Sequence, residues 1–184
     1  AINTTHVTNK IYKKTASNTW AQLGSTSWHS SVPAIESTAG VTVNSLHNIK
    51  INGKTVAASS TTLSNVASQI NAASIPNVTA NFNSVTNKLE IFHSGLNIGD
   101  STSGANTIRI EDGSTGTLRA DLGIAAGTYK GAEFLQAPHT SRPTWKTAED
   151  NRPGGSVWFK TTSANSGTNI VAKVYSAASG AFTN

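Results

Sequence analysis

The sequence predicts a β-rich α+β fold, in which a small antiparallel sheet plus helix module lies in the middle of the chain between antiparallel β segments. Apolar and aromatic residues alternate with polar residues in short runs, which is the period of a half-buried strand. One window instead has apolar residues at helical spacing. Only 12% of the 184 residues are charged, whereas Ser, Thr and Asn fill more than a third of the chain. This composition favours extracellular, virion or cell-surface β proteins over cytosolic helical enzymes.

The middle module begins with a β signal and a predicted hairpin. Residues 41–43 form a short β-prone run. Residues 49–51 and 54–56 are two alternating runs on either side of Asn52-Gly53. Asn-Gly suits a type I′ turn because both central residues take a positive φ, so this pair predicts a two-residue connection.

A short helix follows the hairpin. Four apolar residues recur at i, i+3, i+4 and i+7 and would form one buried stripe, namely Leu63, Val66, Ala67 and Ile70. Thr61 or Thr62 is expected as the N-cap, and Pro76 is expected to close the segment.

The module then continues with strands and a last helical turn. Alternation predicts strands around residues 78–82, 89–91 and 108–110. Residues 118–122 predict a short helix that ends at Gly123, which is well placed as its C′ residue.

The two flanks are predicted to be β throughout. Residues 11–14 and 19–23 are β-prone runs that suit a hairpin. Residues 157–161 and 170–175 form a second pair, joined by a polar loop. Each flank is therefore expected to contribute antiparallel strands.

Charge and tryptophan content divide the chain into three segments. Residues 41–128 contain five basic and five acidic residues and no tryptophan, so the net charge of +5 and all four tryptophans belong to the ends. We therefore expect a β-hairpin segment of a terminal β domain over residues 1–40, the α+β module over 41–128, and over 129–184 a β domain that continues in a longer chain. The cations are scattered, so no nucleic-acid partner is expected. No apolar run approaches the roughly 18 residues of a membrane span, so no membrane partner is expected.

Two residue types are missing from the chain. Without cysteine there can be no disulfide, no cysteine zinc site and no thiol nucleophile. A chain that opens at Ala1 and contains no methionine is expected to be a processed product or a piece of a longer protein.

The remaining polar residues do not form a recognisable catalytic or metal motif. No two of the five histidines have the i, i+4 spacing of helical metal ligands; they are His6, His29, His47, His93 and His139. Four carboxylates have the chemistry of a glycoside-hydrolysis pair or a weak calcium site, but turn positions and solvated carboxylates explain them better: Asp100, Glu111, Asp112 and Asp121. We expect no catalytic residue, no cofactor, no bound metal and no enzyme activity.

The tryptophans suggest an alternative function. A tryptophan in a β-rich domain usually fills a core or an interface. An exposed tryptophan can instead stack on a sugar ring, and Trp20 and Trp28 are the candidates for this. The alternative function is therefore a carbohydrate-binding or host-surface adhesin module.

The middle module also shares a pattern with a known family. The pattern runs in the order turn, helix face, strand and Leu-Gly stop. The turn is Ile-Asn-Gly-Lys-Thr-Val at 51–56, and the helix face runs from Thr-Leu at 62–63 to Gln-Ile-Asn-Ala-Ala at 69–73. The strands and the stop are Val-Thr-Ala at 78–80, Leu-Glu-Ile at 89–91, and Ile-Arg-Ile at 108–110 up to Leu-Gly-Ile at 122–124. These segments resemble the IN-type repeat of flagellins and flagellar hook-associated proteins. Related segments recur in structural proteins of large contractile-tailed bacteriophages. The flanking residues 10–20 and 152–162 are similar to segments of phage virion proteins of the tail and baseplate kind.

This resemblance implies assembly rather than catalysis. It implies a structural domain of a phage virion, most of all a tail-associated component such as sheath, fibre or baseplate, with a flagellar filament or hook-associated protein as a third possibility. Such a protein is made in the host cytoplasm, is carried in the virion, and contacts copies of itself or other virion proteins, so a homo-oligomer is expected. Edge-strand pairing and apolar patches would provide the contacts. The predicted interface residues lie in the two C-terminal strands and are Trp158, Ile170, Val174 and Tyr175.

Overall fold

The computed structural model describes the backbone of residues 2–3, 10–16, 19–94, 107–132, 134–139, 150–151, 154–161, 170–176 and 179–184. Within these ranges, no helix combines the length and the apolar character needed to cross a membrane. The predicted loop over 162–169 lies outside the described residues.

Three helices are described, namely α1 (Thr26–His29), α2 (Leu63–Ala72) and α3 (Leu118–Asp121). The described strands are, in chain order, β1 (Ile2–Asn3), β2 (Lys10–Ala16), β3 (Thr19–Gln22), β4 (Ile35–Glu36), β5 (Asn48–Ile51), β6 (Lys54–Ala57), β7 (Val78–Asn83), β8 (Lys88–His93), β9 (Thr107–Asp112), β10 (Gly127–Lys130), β11 (Phe134–His139), β12 (Asp150–Asn151), β13 (Val157–Thr161), β14 (Ile170–Ser176) and β15 (Ala181–Thr183). The β-rich α+β fold class is confirmed.

Two sheets and α2 enclose the larger core, here called the middle core. One sheet has the order β12-β10-β9-β5-β6 and the other has the order β4-β8-β7. α2 packs against β6, β7 and β8. The predicted helical stripe is buried, together with inward-facing strand residues that include Ile49, Ile51, Leu89, Ile91, Ile108 and Ile110. Apolar burial of these aliphatic side chains is the main stabilising contribution to the module.

The hairpin turn is the predicted type. Asn52 and Gly53 have φ values of 49° and 77°, and Ile51 lies opposite Lys54. The Asn52 side chain also reaches the neighbouring strand β9, where its Oδ1 accepts from the N–H of Arg109 at 2.7 Å and its Nδ2 donates to the carbonyl of Thr107 at 3.1 Å. The turn residue therefore extends the pairing between β5 and β9 beyond the end of β5.

Two substitutions of Asn52 are expected to separate its role in the turn from its hydrogen bonds to β9. Asn52→Gly keeps the positive φ and removes both hydrogen bonds, so we expect a loss of about 1 to 2 kcal/mol in the free energy of unfolding. Asn52→Ala adds the cost of a left-handed backbone, about 1 kcal/mol more. Urea denaturation would measure both. Asn87→Gly is the matched control, because Asn87 also has a positive φ, of 54°, and its side-chain amide has no hydrogen bond to the described residues. Equal losses of unfolding free energy in Asn52→Gly and Asn87→Gly would contradict the bonding role of Asn52.

The predicted start of α2 and the predicted end of α3 are confirmed, and α2 ends at Ala72, with Ala73 as its C-cap, ahead of Pro76. Thr62 caps α2, with its side-chain oxygen accepting from the N–H of Asn65 at 3.3 Å. α3 ends at Gly123, whose φ is 69°. The N–H of Gly123 bonds to the carbonyl of Ala120 and that of Ile124 bonds to Arg119, which is the hydrogen-bond pattern of a Schellman motif.

One predicted element is absent. Residues 41–43 are not in a strand, although Val43 is fully buried. The N–H of Val43 bonds to the carbonyl of Thr61 in the connection before α2. The apolar residues at 41–43 therefore indicate burial in the middle core and not a strand, because the backbone there bonds to a loop instead of to a sheet.

The two flanks share a second core, here called the flank core. It contains Ala21, Leu23, Trp28 and Val32 from the N-terminal side and Ala132 and Val157 from the C-terminal side. The flank sheets have the orders β1-β2-β3 and β11-β13-β14-β15. Two described pairs, β10 with β12 and β11 with β13, are parallel, which the sequence did not predict.

The middle core extends past residues 41 and 128. Ala34 and Ile35 from the N-terminal side and Tyr129 from the C-terminal side are buried in it. β4 pairs with β8, and β10 pairs with β9. Residues on either side of the module therefore complete its sheets.

Candidate functional site

The predicted interface strands β13 and β14 lie inside a sheet. β13 pairs with β11 and β14, and β14 pairs with β13 and β15. Edge-strand pairing with another subunit is therefore not open to either strand over these paired residues. Among the described strands, β11 and β15 are the edges of this sheet.

Aromatic side chains cluster where β13, β14 and β15 meet. Phe182 packs edge-on against Trp158 and against Tyr175, with centroid distances of 5.3 Å in both pairs. Trp158 is 5% exposed, and the Nζ of Lys160 lies 5.9 Å from its ring centroid. These contacts hold the predicted interface aromatics within the chain and leave little of Trp158 for a partner.

The other two predicted interface residues lie on β14. Val174 is half-buried and packs against the flank core. The backbone of Ile170 pairs with Thr161, while its side chain lies outside the described residues. Their role as an interface stays a prediction.

The two tryptophans considered for sugar stacking have opposite environments. Trp28 lies in α1, which Ser25 caps by accepting from the N–H of Trp28 at 3.3 Å, and the ring is fully buried in the flank core. Trp20 lies on β3 and is 52% exposed. A sugar ring could therefore stack on Trp20, and burial makes Trp28 unsuitable.

Each described carboxylate of the acidic group has its own basic partner. Glu111 bonds to Arg109 at 2.8 Å, and Asp112 accepts two bonds from Arg119, the shorter at 2.7 Å. The hydrogen bond from Arg119 holds the pKa of Asp112 below its ordinary value. Asp100 lies outside the described residues. Each described carboxylate of this group is thus held by a neighbouring basic side chain.

Asp121 pairs with His47 near the start of β5. His47 Nδ1 lies 2.8 Å from Asp121 Oδ2, and the Thr117 hydroxyl donates to Asp121 Oδ1 at 3.0 Å. Burial raises the pKa of Asp121, but hydrogen bonds from His47, Thr117 and the backbone of Asn44 outweigh it and hold the pKa below its ordinary value. This carboxylate connects α3 to the turn before β5.

Two buried histidines, one from α1 and one from β8, lie close to Gly131. His29, from α1, and His93, the last residue of β8, are each 1% exposed. Within the described part of the chain, neither ring nitrogen of His29 has a hydrogen-bond partner. A Cβ built at Gly131, between β10 and β11, would lie 3.3 Å from His29 Nδ1 and 3.6 Å from the carbonyl oxygen of His93. Burial lowers the pKa of His29, and the nearby His93 lowers it further.

Sequence reasoning missed this pair. His93 continues the inward-facing alternation of Leu89 and Ile91, so the period of β8 could have identified it as buried. Nothing local indicates that His29 is its neighbour. In the described part of the chain, no group of three or more His, Asp or Glu side chains is placed to hold a metal ion.

Comparison of the chain with protein-family models, with curated proteins and with solved structures found no match.

Proposed function

We propose that this chain is a non-enzymatic structural domain of a phage virion, in a tail-associated component such as sheath, fibre or baseplate. In this proposal it is made in the host cytoplasm, carried in the particle, and in contact with copies of itself or with other virion proteins. The middle module would act as a stable spacer, and strand edges of the flanks and of the module would provide the contacts.

The role of the residues that carry the family resemblance gives this proposal its main support. Asn52 and Gly53 form the turn and bond to β9, Thr62 caps α2, and Gly123 ends α3. Each of them stabilises the backbone of the module. A motif made of turn, cap and stop residues fits a domain whose role is its shape.

Strand edges are where such a domain could join its neighbours. β15 pairs with β14 on one side and is at the end of its sheet, and β6 is at the end of the five-stranded sheet. An unpaired strand edge presents backbone N–H and carbonyl groups that a strand of another subunit can bond. Repeated use of one such contact would give the symmetric assembly expected of a virion component.

Immunogold electron microscopy tests the proposal. Antibody raised against the chain is applied to virions and to flagellar filaments purified from the source culture, with antibody pre-absorbed on the chain as the control. We expect labelling of the phage tail, and mass spectrometry of the same particles should contain peptides of the chain. Labelling of flagellar filaments, or of neither structure, would contradict the virion assignment.

A further inference from the structure

The β2–β3 hairpin presents a face that the flank core does not use. Tyr12 lies opposite Gln22 and Lys14 lies opposite Trp20. Residues opposite each other, and residues two apart in one strand, share a face of a sheet. These four side chains therefore lie on one face, here called the hairpin face.

The opposite face of the same hairpin is the one that packs in the flank core. Ala21 and Leu23 are buried in the flank core, and Ile11 packs against it. On the hairpin face, by contrast, Trp20 is 52% exposed and Lys14 is exposed. The alternation thus directs the aromatic and amide groups of the hairpin face away from the core.

The chemistry of the hairpin face suits a sugar. Tyr12 and Trp20 are diagonal neighbours across the two strands, a spacing within reach of aromatic side chains. Their rings offer flat apolar surface, whereas the Gln22 amide and the Lys14 ammonium offer hydrogen-bond donors beside them. A sugar ring has the matching pair of surfaces, an apolar C–H face and a rim of hydroxyl groups.

The charge of the hairpin indicates which sugars. Residues 1–35 contain Lys10, Lys13 and Lys14 and no Asp or Glu. A sugar that carries a carboxylate or phosphate would be attracted to this uniformly positive segment, whereas a neutral sugar would gain nothing from it. A nucleic acid would need several cations along one face, and Lys14 is the cation among the four described side chains of the hairpin face.

We propose that the hairpin face formed by Tyr12, Lys14, Trp20 and Gln22 binds an acidic polysaccharide. Trp20 stacks on a sugar ring, Lys14 pairs with the acidic group, and Gln22 bonds to hydroxyl groups. This binding is independent of the assembly role proposed above, because it uses a face that neither β6 nor β15 contributes to.

Isothermal titration calorimetry of the purified chain against polygalacturonate tests the proposal, with dextran as the neutral polymer and oligo-dT as the nucleic acid. We expect binding of polygalacturonate that weakens about tenfold in Trp20→Ala and is largely kept in Trp20→Phe, which retains an aromatic ring. Lys14→Gln should weaken binding and reduce its dependence on salt. Val85→Ala is the control, because Val85 is 93% exposed on the β7–β8 turn and lies outside the hairpin face.

Three results would overturn the proposal. The first is the absence of heat and of any binding with polygalacturonate at millimolar sugar. The second is equal or tighter binding of dextran or oligo-dT. The third is binding that Trp20→Ala leaves unchanged while circular dichroism shows that the variant is folded.

Discussion

Acidification from about pH 7 to about pH 5 is expected to lower the free energy of unfolding, and His29→Phe is expected to remove most of that loss. His29 is buried near His93, and neither of its ring nitrogens bonds to a residue that the structure describes. A proton on His29 would place an unpaired charge in the interior, and a proton on both rings would add repulsion between like charges.

The lowered pKa of His29 explains why the free energy of unfolding falls as the pH falls. Burial and then His93 lower the pKa of this imidazole from its ordinary value of 6.5. The unfolded chain therefore binds a proton before the folded chain does, so the stability held by neutral His29 is fully present above about pH 6.5. It is lost as the pH falls below that value, at up to about 1.4 kcal/mol per pH unit, until the folded state is protonated as well.

Urea denaturation at a series of pH values would measure this effect. The difference between wild type and His29→Phe isolates His29, and the window lies above the pH at which Asp112 and Asp121 would begin to titrate, because both have lowered pKa values. Ser27→Ala is the control on the same helix, since Ser27 is exposed and does not titrate in this range. Parallel pH profiles for wild type and His29→Phe would show that His29 does not carry the acid sensitivity.

The acid effect should be local in its origin. His29 belongs to the helix that places Trp28 in the flank core, and His93 ends a strand of the middle module. Hydrogen exchange at low pH should therefore rise first in α1 and at the end of β8, because the charge is introduced in these two segments.

Local sequence patterns predict the turns and helix ends of the middle module, but they do not predict which distant segments lie next to each other. The Asn52-Gly53 turn, the Thr62 cap and the Gly123 stop depend on residues within one turn of chain, so their chemistry can be read directly. The proximity of His29 to His93 depends on how two separate segments pack. Each histidine taken alone is indistinguishable from a surface residue except through the alternation that ends at His93.

The same limit explains what was wrong or incomplete in the flanks. From the sequence, Trp28 and Trp20 are equally available for sugar stacking, because the burial of Trp28 arises in a cluster that also contains Val157, at the other end of the chain. The sequence favours β13 and β14 as edge strands, because β11 and β15, the strands that pair with them, have only weak strand patterns. Strand alternation identifies an inner face, but it does not identify a strand's neighbours.

Gly113→Ala is expected to be among the most destabilising single methyl additions in the chain, lowering the free energy of unfolding by about 3 kcal/mol or more. Gly113 follows β9 and lies against Asn48, the first residue of β5. A Cβ at Gly113 would lie 2.6 Å from the carbonyl carbon of Asn48 and closer still to its carbonyl and side-chain oxygens.

The backbone around Gly113 has little freedom to move away. Asn48 is 7% exposed, its N–H bonds to the carbonyl of Thr115 at 2.8 Å, and its Oδ1 accepts from the N–H of Thr115 at 3.1 Å. On the strand side, Ile49 lies opposite Asp112. Relief of the clash would therefore break the Asn48 bonds or the start of the β5–β9 ladder, and each lost bond to a buried group costs about 1 to 3 kcal/mol.

Gly53→Ala provides the matched comparison, because a methyl group there meets no atom within 4 Å and only the positive φ of 77° opposes it. That conformational cost is about 1 to 2 kcal/mol. Urea denaturation of both variants at neutral pH should therefore place Gly113→Ala clearly below Gly53→Ala in stability. Equal stability would mean that Asn48 does not hold the loop after β9 against the start of β5, and the pairing of β5 with β9 would then have to tolerate a side chain at that position.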